Sequence, residues 1–159
     1  MNEMFDAARV KTILEETLSL VLAEMAFLDC VATGTPNSQI LEGLNHCVAI
    51  DALKPGSFRI ELRVSDAFRK KVISMLFDPG SAELPEPDSS EADLLLEILN
   101  VLTGNFITAY FGEEIAPKLE LPRYLYFNDP VDGSVVVESV MDVEGDPVVI
   151  TLRSIRYRY

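Results

Sequence analysis

Residues 93–112, DLLLEILNVLTGNFITAYFG, decide what kind of fold this chain can adopt. From Leu94 to Phe111 the apolar residues point almost all round a helix, with Leu94, Leu95, Ile98, Leu99, Leu102 and Phe106 only part of the set. A helix this apolar belongs inside a layered domain. One narrow stripe breaks the pattern. At about 100° per residue, Asp93, Glu97, Asn100 and Gly104 lie within about 40° of one line, because steps of three and four are helical neighbours. A carboxylate and a carboxamide are poor core groups without partners, so the stripe faces solvent or a partner while the other sides are packed.

Upstream of this helix, 79–91 (PGSAELPEPDSSE) is a linker-like loop crowded with turn formers, and Gly112 is placed to end the helix downstream. Glu91 is the expected start, with Ser90 to Asp93 fitting a capping box. Before the loop, Asp66 is expected to cap a short helix through about Phe77. HCVAIDAL from His46 and SFRIELRV from Ser57 form a hairpin about the turn Lys54-Pro55-Gly56. Thr33 to Ser38 reads as loop. From Asp6 to about Leu28, Val10, Ile13, Leu14, Leu18, Val21, Leu22 and Met25 keep helical steps, so a long amphipathic helix opens the chain. After the apolar helix come three strand patterns, 119–127, 134–143 and 147–157, with turns at Asp132-Gly133 and Glu144-Gly145-Asp146, expected as an antiparallel meander. Each half is thus a long helix followed by strands, a faint echo without residue-level repetition. The fold class expected is α+β, a two-layer antiparallel sheet with two long helices on one side, forming a single domain over 1–159.

The 159 residues are 48% hydrophobic and 25% charged, enough apolar content for one sizeable core and unlike a disordered chain. A net charge of −13 repels nucleic-acid phosphates and anionic headgroups, so neither nucleic acid nor membrane is an expected partner. No stretch has about 18 uninterrupted apolar residues, the start MNEMFDAARVKTILEE lacks an apolar leader core, and a cytoplasmic protein is expected. Cys30 and Cys47 lack CxxC spacing and His46 is the single histidine, too few ligands for a zinc site; both thiols are expected buried or half-buried, and His46 at the surface or hydrogen-bonded. Arg69-Lys70-Lys71 is expected to be a solvated face, and the acidic loop 83–91 a soluble connection.

The stripe has a plain reading as the wet side of an amphipathic helix. Its composition argues otherwise: a single Glu, an Asn of poor helix propensity, and a Gly costing about 1 kcal/mol against Ala. Local misfits of this kind gather at functional positions. Gly104 serves either a functional contact or the close approach of another backbone. Asp93 serves either the capping box or a surface contact.

At these residues the sequence resembles the CheC/CheX/FliY family of chemotaxis phosphatases. The shared pattern is Asp, three residues, Glu, two residues, Asn, then a proline some twenty residues on, matched by Asp93, Glu97, Asn100 and Pro122. Gly104-Asn105, the apolar helix and the ending AEMAFLD of the first helix extend the likeness over essentially the whole chain. Pro122 also fits an edge-strand proline. CheC and FliY relatives often carry a second copy of the motif on the first helix; here Glu15 and Glu16 are followed three residues later by Leu18 and Ser19, so the chain is most similar to single-site CheX.

The resemblance implies a phosphatase acting on the aspartyl phosphate of a CheY-like receiver domain, with Mg²⁺ bound by that receiver and no cofactor or metal held by this chain. Asn100 would orient the attacking water, Glu97 would dock the receiver, and Asp93 and Gly104 would be partner-docking contacts. It also implies a homodimer. Two rival readings stand beside it: a non-catalytic receiver-binding module, and a dimerisation module built on a long edge-like C-terminal strand guarded by Arg153, Arg156 and Arg158.

Overall fold

Asp6 opens the first helix, its Oδ1 accepting from the N–H groups of Ala8 at 3.1 Å and Arg9 at 3.3 Å. In the structure, a computed structural model that describes residues 4–75, 93–126 and 133–155, this is α1, Ala7–Ala26. It buries Val10, Leu14, Leu18, Val21 and Leu22 of the expected stripe, with Ile13 and Met25 half-buried against the core, and adds Thr17 and Ala26. It stops where Phe27 turns left-handed (φ 55°) and the Leu28 N–H bonds back to the Leu22 carbonyl at 3.1 Å.

The loop expected over 33–38 is confined to 35–37, between two elements the sequence reading did not foresee. β1 is Cys30–Gly34 and α2 is Ser38–Glu42, the latter capped by the Asn37 side chain at 2.9 Å from the Ile40 N–H. The hairpin follows as expected: β2, His46–Lys54, pairs with β3, Phe58–Val64, placing Ile50 opposite Ile60. Ser65, rather than Asp66, caps α3, Asp66–Ser74, because its hydroxyl accepts from the Phe68 N–H at 3.0 Å. The continuation to Phe77, the loop 79–91 and the start at Glu91 with its Ser90 cap lie outside the described residues. The apolar helix is α4, Leu94–Phe111, with Asp93 as its N-cap.

The remaining strands are β4, Lys118–Leu119, β5, Arg123–Leu125, β6, Ser134–Val143, and β7, Asp146–Ser154. Glu144 and Gly145 both take positive φ (50° and 95°) in the β6–β7 turn, as a tight two-residue hairpin requires. The meander holds only for that hairpin. Pro122 breaks the expected strand 119–127 in two, and both pieces pair with β2 rather than β6. The sheet runs β1-β6-β7-β3-β2-β4, with β5 also on β2, and every pairing is antiparallel. β7 is therefore central, not an edge, and Arg153 spends its charge on Glu61 at 3.0 Å. Arg156 and Arg158 lie outside the described residues.

That order is a palindrome. α1-β1-β2-β3 and α4-β4/β5-β6-β7 trace the same path, and each half lends its first strand to the other's second: β1 to β6, β5 to β2. The echo in the sequence is thus a repeat of topology.

α1 and α4 cover one face of the sheet. Val48, Ile50, Phe58, Ile60, Ile150 and Leu152 meet Leu14, Leu18, Ile98, Leu102 and Phe106 in one core. By length and composition α4 could cross a membrane, yet half of it is buried inside the fold. On the other face α2 packs Ile40, Leu41 and Leu44 on Val140 and Val149, and Asp51 holds Arg59 at 2.6 Å and Arg123 at 3.4 Å. The fold class is α+β with an antiparallel sheet, as expected.

Candidate functional site

The buried residues of α4, Leu94, Leu95, Ile98, Leu99, Leu102, Thr103, Phe106, Ile107 and Tyr110, leave one outward line. Glu97 and Asn100 stand on it exposed, one turn apart, with Gly104 half-exposed in the next turn. Neither the Glu97 nor the Asn100 side chain has a hydrogen-bond or ion-pair partner among the described residues. Asn105 is exposed as well, and so is Thr108, four residues beyond Gly104 on the same line, a step visible in the sequence that sequence reasoning passed over.

A Cβ built at Gly104 meets nothing within 4 Å. Among the described residues no other backbone comes close there, so the packing explanation offered for this glycine finds no support in them, and its roughly 1 kcal/mol of lost helix propensity has no visible return among them.

Asp93 does not share the exposed line. Its side chain is 7% exposed, with Oδ1 accepting from the N–H groups of Leu95 at 2.9 Å and Leu96 at 3.4 Å. Oδ2 accepts from the Tyr124 hydroxyl at 2.6 Å, and the Arg69 Nη2 lies 4.0 Å away. The expected docking contact at Asp93 is corrected accordingly: a carboxylate that caps its own helix and is turned into the protein is not presented to a partner.

Arg69 corrects a second expectation. It is 4% exposed rather than solvated, because in α3 it falls on the buried stripe with Phe68, Val72 and Ile73. That one-and-four spacing is the signal in the sequence that could have found it. Lys70 and Lys71 do face outward, pairing with Asp66 at 2.9 Å and Asp146 at 3.5 Å. Pro122 sits between β4 and β5 on the outer side of β2, next to Leu121, which is 86% exposed.

α1 has no matching constellation. Its buried Leu14, Thr17, Leu18, Val21, Leu22 and Ala26 repeat the spacing of Leu95, Ile98, Leu99, Leu102, Thr103 and Ile107 in α4, which sets Glu16, Ser19 and Ala23 where Glu97, Asn100 and Gly104 stand. Ser19 gives its hydroxyl to the Cys30 carbonyl at 3.2 Å. Cys30 and Cys47 are half-buried free thiols, as expected, and burial raises both, Cys47 to about 11. His46 is hydrogen-bonded, 2.9 Å from Asp66 Oδ1.

No family model and no curated protein matches this sequence. Solved structures do. The chemotaxis protein CheX from Vibrio vulnificus superposes with a TM-score of 0.66 at 13% identity, over 94% of this chain and 98% of that one. CheX in a CheX–CheY–BeF3–Mg complex from Borrelia burgdorferi gives 0.64 at 15%, over 91% and 96%. FliY from Thermotoga maritima gives 0.58 at 17%, over 92% and 86%. The fold is the one these proteins share, and the scores do not set the chain nearer to a single-site type.

Proposed function

From the CheC/CheX/FliY fold as premise, we propose that this chain is a cytoplasmic phosphatase that hydrolyses the aspartyl phosphate of a CheY-like receiver domain in chemotaxis signalling. The observation that carries the proposal is the pair Glu97 and Asn100, exposed and without a partner among the described residues, on the outward line of a helix half buried in the core.

Aspartyl-phosphate hydrolysis breaks the P–O bond to the receiver aspartate while water adds to phosphorus, giving aspartate and inorganic phosphate. Charge stabilisation comes from groups the receiver carries, its Mg²⁺ and a lysine, so the missing component is a water held in line. A carboxamide suits that task. Its oxygen accepts a hydrogen bond from the water and its NH₂ donates to a phosphoryl oxygen, and no basicity is needed. Asn100 stands two turns into α4, with the exposed reach for this. Glu97, one turn back, has a free carboxylate to pair with the receiver's lysine and set the register of docking. The bare backbone at Gly104 lets the partner approach the helix closely.

Two further outcomes are expected. Gly104→Ala stabilises the folded chain by up to about 1 kcal/mol, because the methyl enters open space, yet weakens binding to a beryllofluoride-loaded receiver about tenfold. Melting curves and titration calorimetry check the two signs; unchanged affinity removes Gly104 from the docking face. Glu97→Ala weakens receiver binding about tenfold and slows turnover with it, read from the concentration dependence of phosphate release. A variant that binds as wild type ends the docking role of Glu97.

The homodimer implied by the resemblance is part of the proposal too, and with β7 central it would use a free sheet edge, β1 or β4/β5. The deciding assay follows phosphate loss from a phosphorylated, Mg²⁺-bound receiver with and without this chain. Binding without acceleration would make the protein a docking module.

A further inference from the structure

We propose that Tyr124 is the positioning residue of this site, locking the start of α4 to the β4–β5 rim so that Asn100 meets the receiver at the right angle. This deepens the phosphatase reading and rests on it for its kinetic readout alone.

Tyr124 lies on β5 and is 4% exposed. Its hydroxyl donates to Asp93 Oδ2 at 2.6 Å and accepts from Arg69 Nε at 2.9 Å, while the Arg69 guanidinium sits 5.4 Å from the ring centroid. His46 closes the other side of the ring, edge-on at 6.4 Å. Burial first, and the Asp93 carboxylate second, push the Tyr124 phenol well above its ordinary value. It therefore keeps its proton, and the direction of each hydrogen bond is set: Arg69 gives to Tyr124, Tyr124 gives to Asp93.

An N-cap needs one oxygen, and Ser or Asn supplies it as well as Asp does. Oδ1 of Asp93 does that work. The second oxygen has a different use, since it joins the first turn of α4 to a strand far away in the chain. The Glu97 N–H hydrogen-bonds the Asp93 carbonyl at 3.2 Å, so the anchored residue sits directly beneath Glu97 and one further step beneath Asn100.

β5 also carries the rim. Leu121, 86% exposed, and Pro122 lead straight into Tyr124, and under the proposal they are the part of the rim on which a receiver docked along α4 rests. A surface made of two elements holds its geometry only if they are tied. An apolar trio would fill the same space, whereas a buried polar chain admits one arrangement. Loss of the tie lets α4 shift against the rim, and about 1 Å of misplacement at the reacting atoms is worth up to about 100-fold in rate.

The test uses Tyr124→Phe, which removes the tie and leaves the cap, Asp93→Ser, which leaves the cap and removes the second oxygen, and the double variant. Phosphate release from a phosphorylated, Mg²⁺-bound receiver gives kcat and KM, and ¹⁵N spectra of the free chain follow the Asn100 side-chain amide. Each single variant is expected to lower kcat about tenfold with KM changed less than about twofold, and the double variant to be no slower than either. The Asn100 amide signal is expected to move in both. A lower melting temperature with unchanged kcat, or losses that multiply in the double variant, would overturn the proposal and leave Tyr124 a structural residue. If the wild-type chain releases no phosphate, the phosphatase reading fails by itself; the Asn100 signal still decides positioning, since a shift supports it and an unmoved signal overturns it.

Discussion

Replacing Asn100 by alanine is expected to cut receiver-phosphate hydrolysis by about 100-fold or more while leaving the fold as it was. The magnitude follows from the division of tasks. Mg²⁺ and lysine on the receiver do not depend on this chain, so the charge term survives, but the water loses the group that holds it in line. The neutrality of the fold follows from the surroundings: an exposed side chain without an internal partner contributes within about 0.5 kcal/mol to stability, and alanine is the better helix former. Single-turnover phosphate release with wild type and variant side by side, with thermal melts of both, checks the two halves. Full activity in a folded Asn100→Ala variant would end the assignment of the water-holding role.

Phe58→Ala is expected to have the opposite profile, about 3–5 kcal/mol of lost stability without touching the exposed face of α4. Phe58 is fully buried on β3, and its ring meets Phe5 at 5.6 Å, Phe106 at 5.8 Å and Phe111 at 6.2 Å. Those rings belong to the segment that leads into α1 and to two turns of α4, so one side chain ties α4 and the entry to α1 to the sheet. Removing it leaves a cavity among flat groups that collapse poorly. For a domain with about 5–15 kcal/mol in total, that is a large fraction. Urea unfolding checks it, through a lower midpoint at an unchanged slope; a change under about 1 kcal/mol would mean that the ring cluster does not hold the layers together.

The elements legible in the sequence were those with a strong period. α1 and α4 show helical steps over many turns, and the two hairpins show alternation interrupted by Pro-Gly or by Glu-Gly-Asp. β1 escaped because it is an outer strand with four of its five residues exposed, which removes the alternation a half-buried strand displays. α2 has five residues, too few for any period. The sheet order escaped for a deeper reason: pairing Cys30 with Val143, or Tyr124 with Val48, is a long-range choice that no local window records. At the site, Glu97 and Asn100 were legible because their polarity interrupts an apolar helix. Asp93 looked equivalent by angle alone, but the helix begins one residue later, and a cap's carboxylate bends back over its own first turn. Arg69 was hidden by its neighbours, since a run of three cations suggests one exposed patch while the helix sends each in a different direction.

The palindromic strand order has a consequence for valency. Two halves of the same path offer two equivalent outer helices, yet one presents Glu97 and Asn100 and the other Glu16 and a serine whose hydroxyl is already engaged. Under the proposed function each copy of the chain engages one receiver at a time. Any bridging of two receivers then comes from the proposed dimer, whereas a molecule armed on both helices would bring it within a single chain. Under the same proposal one half of the architecture carries the chemistry and its twin serves as scaffold.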